Sequence, residues 1–253
     1  MNKISVLIFA HNEEEQIKDV IISAQTLTKS IYIADIKSTD KTDEIGKNLG
    51  STLLNIPFVA YVELAREEAI SQIDSEWILI LDADERITSE LAQEIKKIIV
   101  SATFTHFKIP RKEIFGKEIW LKHGGWWPNH QIRLFKKNNF ISWPKVIHST
   151  PQFTGKMGYL MSPILHFSKG DIEKTVIKTT VFEDIESDLL LKAGKNVSHL
   201  TFLRKFMGEL YRRMFVHLGF LDGEVGIIES IYQAFSKTIT YLYLYEKKTG
   251  STL

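Results

Sequence analysis

The chain alternates short, near-continuous apolar runs with longer segments of helical spacing, and that alternation narrows the available architectures more than any other feature. ISVLIFA (residues 4–10), IYIAD (31–35) and WILILD (77–82) read as strands covered on both faces. Between them, HNEEEQIKDVIISAQTL places Ile17, Val20, Ile21 and Ala24 on one helical face. Asn12 is the expected N-cap there, with Glu13 to Glu15 suiting the positive helix end. STDKTDEIGKNLG reads as a turn and a short helix ending at Gly50, residues 66–73 as a helix, and SELAQEIKKIIVS as an amphipathic helix capped by Ser89. Strands alternating with helices predict an α/β fold with an open, mostly parallel, Rossmann-like sheet. Ligands of such sheets bind beyond the carboxyl ends of the strands. Three strands end in polar groups: HNEE after the first, Asp35 after the second, and DADE (82–85) after WILILD.

Beyond residue 104 the pattern loosens. FKIP and QIRLF read as strands and HGGWWPNHQ as a loop. From 171 the chain reads as helical to its end, which sets the expected domains at 1–170 and 171–253. The 253 residues carry a formal net charge of +1, so no general attraction to nucleic acid is expected. The absence of cysteine excludes disulfides, thiolate metal sites and cysteine nucleophiles. The apolar run at Ile4–Ala10 is too short for a signal segment, and no run of 18 apolar residues occurs, so a cytoplasmic protein is expected.

In an extended segment alternate side chains share a face, so Asp82 and Asp84 are expected to converge with Ala83 turned away. Two close carboxylates repel, and a divalent cation, Mg²⁺ or Mn²⁺ for all-oxygen ligands, relieves that. The plainer alternative is that Asp84 or Glu85 caps the next turn and Arg86 pairs with either acid.

The segments SVLIFAHNEEEQI, IADIKSTDKT, AREEAI, EWILILDADERIT and QIRLF, in this order and spacing, resemble the family-2 glycosyltransferases of the GT-A fold. The resemblance is nearest to the branch with lipopolysaccharide-core glucosyltransferases; it spans residues 3–168 and continues more loosely through HLGFLDGEVG. It implies a metal-dependent, inverting transfer from a nucleotide-diphosphate sugar, a UDP-sugar in preference, to a glycan or glycolipid acceptor. By position, Ala10, His11, Asn12 and Glu13 match the loop on the base and ribose, Asp35 the acid reading the base edge, and Arg66 a basic position over the nucleotide. Asp82 matches the acid near sugar and ribose, Asp84 the cation ligand, and His166 a late histidine that serves some such enzymes as a further ligand. Asn12 as a mere cap, Asp35 as a turn residue and His166 as a core histidine stand beside these readings.

Three departures matter. Lys37 stands where the family has a small residue, often glycine. Asn129 and Ser149 stand where it has acids, which leaves His148, His130 and His123 as candidate bases for the acceptor hydroxyl. The missing acids also admit a second reading, a catalytically impaired nucleotide-sugar-binding or scaffolding protein. Arg133 could clamp phosphate or brace a DADE acid, and Trp126 and Trp127 could form a sugar-stacking wall or pack under their loop.

In the tail, Phe202, Phe206, Leu210 and Met214 form an apolar stripe beside Arg204, Lys205, Arg212 and Arg213. Either that stripe lies on a membrane, making the protein peripheral at the inner face of the cell membrane, or it packs internally. FLDGEVG reads as a helix break at Gly223 and Gly226, and the aromatic final helix as an interface to membrane or to another subunit of a homo-oligomer.

Overall fold

A computed structural model describes residues 2–101, 103–116, 118–146, 149–169 and 172–250. They cluster into two compact units. One runs up to Arg111 and resumes over Asn129–His166; the other comprises Lys112–Pro128 and the chain from Phe167 onward. The helical region thus recruits segment 112–128, which the sequence pattern left in the first domain.

The first unit runs through β1 (Asn2–Ala10), α1 (Ile17–Gln25), β2 (Ile31–Ile36), α2 (Thr42–Asn48), β3 (Thr52–Ile56), α3 (Glu63–Ser71), β4 (Ser75–Asp82), β5 (Glu85–Ile87) and α4 (Ser89–Ser101). The chain goes on through β6 (His106–Phe115), β7 (Ile119–Leu121), β8 (Asn129–Lys136), β9 (Phe140–Ser142), β10 (Gln152–Phe153), β11 (Met157–Tyr159) and β12 (Ile164–Lys169). The main sheet has the order β3-β2-β1-β4-β8-β6-β12-β5. Its first four strands are parallel. β8 then adds antiparallel to β4, β6 antiparallel to β8, and β5 pairs antiparallel with β12.

The apolar runs follow from burial on both faces. In β1, Val6, Ile8 and Ala10 meet Ile17, Val20 and Ile21 of α1, while Leu7 and Phe9 meet Ala65, Ala69 and Ile70 of α3 on the other face. In β4, Trp77, Leu79 and Leu81 face the first cluster, and Ile78 and Ile80 the second.

Two helix starts differ from expectation. α1 begins at Ile17, after a turn, and Asn12 sits at φ 54 with its side-chain oxygen accepting the Thr39 amide at 2.7 Å. Asn12 therefore caps the loop after β2 and not its own helix; asparagine tolerates this left-handed backbone better than most residues. α4 is capped by Thr88, whose hydroxyl accepts the Leu91 amide at 3.1 Å, one residue before the expected Ser89.

The second unit is built on α5 (Ile172–Lys192), α6 (His199–Tyr211) and α7 (Gly223–Thr249), with a single wide π turn at Arg212–Val216 and a 3-10 turn at Gly219–Asp222. α7 packs against both other helices. Tyr232 and Thr179 hydroxyls meet at 2.6 Å, and Lys247 bridges Asp184 and Asp188 at 2.7 and 2.6 Å. The stripe of Phe202, Phe206, Leu210 and Met214 is half-buried; the Phe202 ring lies 6.1 Å from that of Tyr245. Packing inside the unit therefore accounts for it. Gly223, at φ 67, opens α7, but Gly226 lies within the helix, where a Cβ would come 2.0 Å from the Gly219 carbonyl oxygen. Its role is close approach and not a turn. Among the described residues, no helix is long and apolar enough to cross a membrane.

Leu79 is fully buried at the centre of the sheet, between β1 and β8. Leu79→Ala is expected to lower the unfolding free energy by about 3 kcal/mol in urea denaturation. Ile22→Ala, at a position 46% exposed, should cost less than about 0.5 kcal/mol.

Candidate functional site

The carboxyl ends of β2, β1 and β4 lie side by side. Ala10 is in register with Asp35, and Phe9 with Asp82. The loop after β1, the Asp35 turn and the DADE turn therefore share one edge of the first unit, where α/β sheets bind ligands.

The first loop is laced to the second. Backbone amides of Asn12, Glu13 and Glu14 donate to Ser38, Thr42 and Asp40 at 2.9, 2.8 and 3.0 Å, and the Lys41 amide donates back to Glu14 at 3.1 Å. Burial opposes ionisation of Asp40, but donors from Thr42 and the Glu14 amide hold its carboxyl below the usual range. His11 donates from Nδ1 to the Ile36 carbonyl at 2.6 Å and stands edge-on to Phe58, 5.5 Å away. Asp35 accepts the Ser38 amide at 3.3 Å on each oxygen, so it does shape its turn. Lys37 has φ 56, the left-handed region that glycine occupies without cost. That explains why a small residue suits the position; the lysine side chain points out and is exposed.

The DADE segment is not extended through its length. β4 stops at Asp82, Ala83 and Asp84 form a turn, and Glu85 begins β5. The alternation argument for converging Asp82 and Asp84 therefore fails, and the two acids have different partners. Asp82 accepts from Arg133 at 2.5 Å and from Arg66 at 3.3 Å. Glu85, fully buried, accepts from Arg133 at 2.6 Å, from Arg111 at 3.4 Å and from the Asp82 amide at 3.0 Å. Burial would raise the Asp82 carboxyl, but Arg133 and Arg66 hold it far below the usual carboxylate range. Burial would likewise lower Arg133, and Asp82 with Glu85 hold it above its ordinary value. Of the two roles open to Arg133, bracing the DADE acids is the one observed. Arg66 is 5% exposed; burial lowers its pKa, Asp82 opposes that, and its guanidinium lies over the rings of Phe9 (4.8 Å) and Trp143 (4.4 Å). Arg86 ties the turn to α1 by donating to the Ala83 carbonyl at 2.7 Å and the Gln16 side chain at 2.5 Å. Ala83, between Asp82 and Asp84, is buried.

Asp84 stands apart from this cluster. Its Oδ1 lies 3.4 Å from Nε2 of His166, with the side chains 17% and 12% exposed. A carboxylate beside an imidazole is a donor pair that Mn²⁺ or Mg²⁺ accepts. No group of three His, Asp or Glu suited to a metal occurs among the described residues. A cation held by this pair would take its remaining ligands from outside the protein, and not from an all-protein cage.

The other expected residues are dispersed. His130 is exposed at the start of β8, edge-on to Tyr159 at 5.5 Å. Asn129 accepts through its side-chain oxygen from Nε2 of the Gln131 side chain at 2.9 Å. His148 lies outside the described residues. Trp126, Trp127 and His123 belong to the second unit. There Trp127 meets Trp120 edge-on at 5.3 Å, and Trp126 lies under Arg213 at 5.1 Å. His123 joins Asp222 through Nδ1 at 2.7 Å, and Asp222 also accepts the amides of Lys122 and His123. Sequence reasoning missed Glu85 as the buried anchor of the turn, and Asp222 as the bolt on the 122–124 loop. A signal existed for Glu85: an acid inside an apolar frame needs an internal cation. None existed for Asp222, which is 99 residues from its partner.

Residues 5–159 match the model of the family described as Glycosyl transferase family 2. An uncharacterized glycosyltransferase of Rickettsia typhi is 29% identical over 97% of this chain and 88% of its own. One of Rickettsia prowazekii is 29% identical over 94% and 85%. Among solved structures, S. aureus TarS 1–349 in complex with UDP-GlcNAc aligns with TM-score 0.51 at 14% identity, over 98% of this chain and 92% of that one.

Removing Arg133 should expose how the cluster works. Arg133→Met leaves two acids without their main cation and is expected to cost about 3–5 kcal/mol at pH 7. The sign with pH follows. With Arg133 present, Asp82 titrates below its unfolded value of about 3.9, so its contribution is full above that pH and lost as pH falls through the lower folded value. Without Arg133, Asp82 keeps only Arg66 against its burial, so its folded pKa rises relative to the parent and less stability is lost as pH falls from 7 towards 4. Urea midpoints of both proteins across pH 3–7 check this; parallel curves would refute it.

Proposed function

The chain belongs to glycosyl transferase family 2, a transferase of the GT-A fold, and from that premise we propose that it moves a sugar from a nucleotide-diphosphate sugar, a UDP-sugar in preference, to a hydroxyl of a glycan or glycolipid. Transfer is metal-dependent and inverting, and the protein works in the cytoplasm, attached peripherally to the membrane. The reading rests above all on the shared edge where Ala10 aligns with Asp35 and Phe9 with Asp82.

On this reading the loop at Ala10–Glu13 and the Asp35 carboxylate receive the base and ribose. Phe58, 65% exposed and edge-on to His11, bounds the same loop. Asp82 is kept ionised by Arg66 and Arg133 and presents a fixed acceptor to sugar hydroxyls. Asp84 and His166 hold the cation. Bound there, Mg²⁺ or Mn²⁺ supplies charge that stabilises the departing diphosphate. The acceptor's proton goes to an imidazole, with His130 and His148 the residues proposed for it. A UDP-sugar-bound relative of the same fold, TarS, supports the choice of donor.

Calorimetric titration of UDP with and without Mn²⁺ tests the donor site. Asp84→Asn should remove the Mn²⁺-dependent part of UDP affinity, by tenfold or more as for a lost charge-assisted ligand. Asp35→Ala should weaken UDP in both conditions. Unchanged UDP affinity in both variants would overturn the assignment. Transfer assays then decide the base: His130→Ala or His148→Ala should lower turnover by about 10²-fold or more with UDP affinity kept.

A further inference from the structure

The second unit carries a second apolar stripe on α6, adjoining the one packed against α7 and turned roughly 100° round the helix from it. Leu200, Leu203, Met207 and Tyr211 recur at spacings of three and four, so they share one helix face. All four are exposed, Leu203 and Tyr211 by more than 60%. The face continues past the helix: Tyr211, Phe215 and Phe220 follow ring to ring at 5.6 and 6.5 Å, and Val216 and Leu221 beside them are also exposed. Of the 27 large hydrophobic residues exposed among the described residues, 17 lie between Val176 and Phe235. A soluble surface rarely concentrates apolar side chains this way without a partner.

The charges on the same stretch identify the partner. Arg204, exposed, lies one turn from Leu200 at the edge of the stripe, and Arg212 is exposed at its end. The two acids of 199–222 are both satisfied within the unit. Glu209 is held by Arg212 at 2.5 Å and by Arg213 at 2.7 Å, and its side chain is 16% exposed. Asp222, at 5% side-chain exposure, is held by His123 and two backbone amides. Within 199–222 the exposed surface is thus apolar with Arg204 at its edge, while Arg212 is paired with Glu209 at its end. An anionic bilayer matches both parts, since acyl chains receive the rings and headgroups the arginines.

We infer that the second unit binds anionic membrane surfaces through the face formed by Leu200, Leu203, Met207, Tyr211, Phe215 and Phe220, with Arg204 and Arg212 at its rim. This deepens the peripheral attachment proposed above and assigns it to a different face from Phe202, Phe206, Leu210 and Met214. Tyrosine at the junction of rings and arginines suits the interface, where one end of the side chain is apolar and the other wet.

The test uses the full chain and sedimentation with vesicles of phosphatidylcholine, alone or mixed with phosphatidylglycerol. The parent should sediment with the mixed vesicles at low salt, be released at high salt, and bind phosphatidylcholine alone at least tenfold more weakly. Leu203→Gln/Tyr211→Gln/Phe215→Gln should reduce binding to mixed vesicles at least tenfold, with melting temperature and UDP affinity unchanged. Arg204→Ser, a single surface change, should weaken binding to mixed vesicles several-fold and leave neutral vesicles unaffected, which keeps the test valid if the triple variant melts early. The inference is overturned if the parent binds neither vesicle, if it binds both equally, or if the triple and Arg204 variants bind like the parent. It is also overturned if the parent is a dimer that the triple variant turns into monomer without vesicles, because a second copy then covers the face. UDP affinity measured alongside keeps the outcomes separate: lost vesicle binding with UDP retained leaves the transferase reading standing.

Discussion

The end of β4 holds a buried ionic cluster that organises the rest of the first unit. Asp82 and Glu85 are bridged by one guanidinium, that of Arg133, while Arg66 and Arg111 each add one contact. The five residues come from α3, β4, β5, β6 and β8, so a single cluster fixes the relative placement of five elements. Buried ion pairs do little for net stability against an apolar replacement, because desolvation offsets their attraction. What this one secures is geometry. With Glu85 also taking the Asp82 amide, the peptide between them has one way to turn, and Asp84 is delivered to His166.

The same constraint explains why Asp82 and Asp84 differ chemically though only one residue separates them. Two arginines hold Asp82 ionised at any working pH, so it needs no metal to relieve repulsion. Asp84 has the imidazole of His166 instead, a partner that can itself donate an electron pair to a cation. One acid is an anion fixed by two guanidinium groups, and the other lies beside an imidazole.

The sheet was legible in the sequence because burial on both faces leaves a one-dimensional trace. A strand such as WILILD has no polar face to place, and the residues following it must lie at the edge where ligands bind. The order SVLIFA, IYIAD, WILILD, QIRLF likewise survived into the sheet as β1, β2, β4 and β8. What was not legible depended on partners far along the chain. Asn12 looks like a cap for the helix beside it until Thr39, 27 residues on, takes its oxygen. Arg133 offers no local sign of whether it clamps phosphate or braces an acid; its two acids lie 51 and 48 residues back. DADE read as an extended run because alternation cannot show where a strand stops.

Helical periodicity has the same limit in the tail. α6 carries two apolar stripes, one at 202, 206 and 210 and one at 200, 203, 207 and 211, and spacing alone gives both an equal claim to any partner. Packing decides between them: α7 covers the first with Tyr245 and leaves the second to solvent. The basic residues divide accordingly. Lys205 turns inward over the ring of Tyr241 at 4.9 Å and Arg213 reaches the Gly124 carbonyl at 3.0 Å, while Arg204 stays out beside the open stripe. α6 is thus polarised by its neighbour: α7 takes the face at Phe202, and the stripe from Leu200 to Tyr211 is what it leaves open, with Arg204 at its edge.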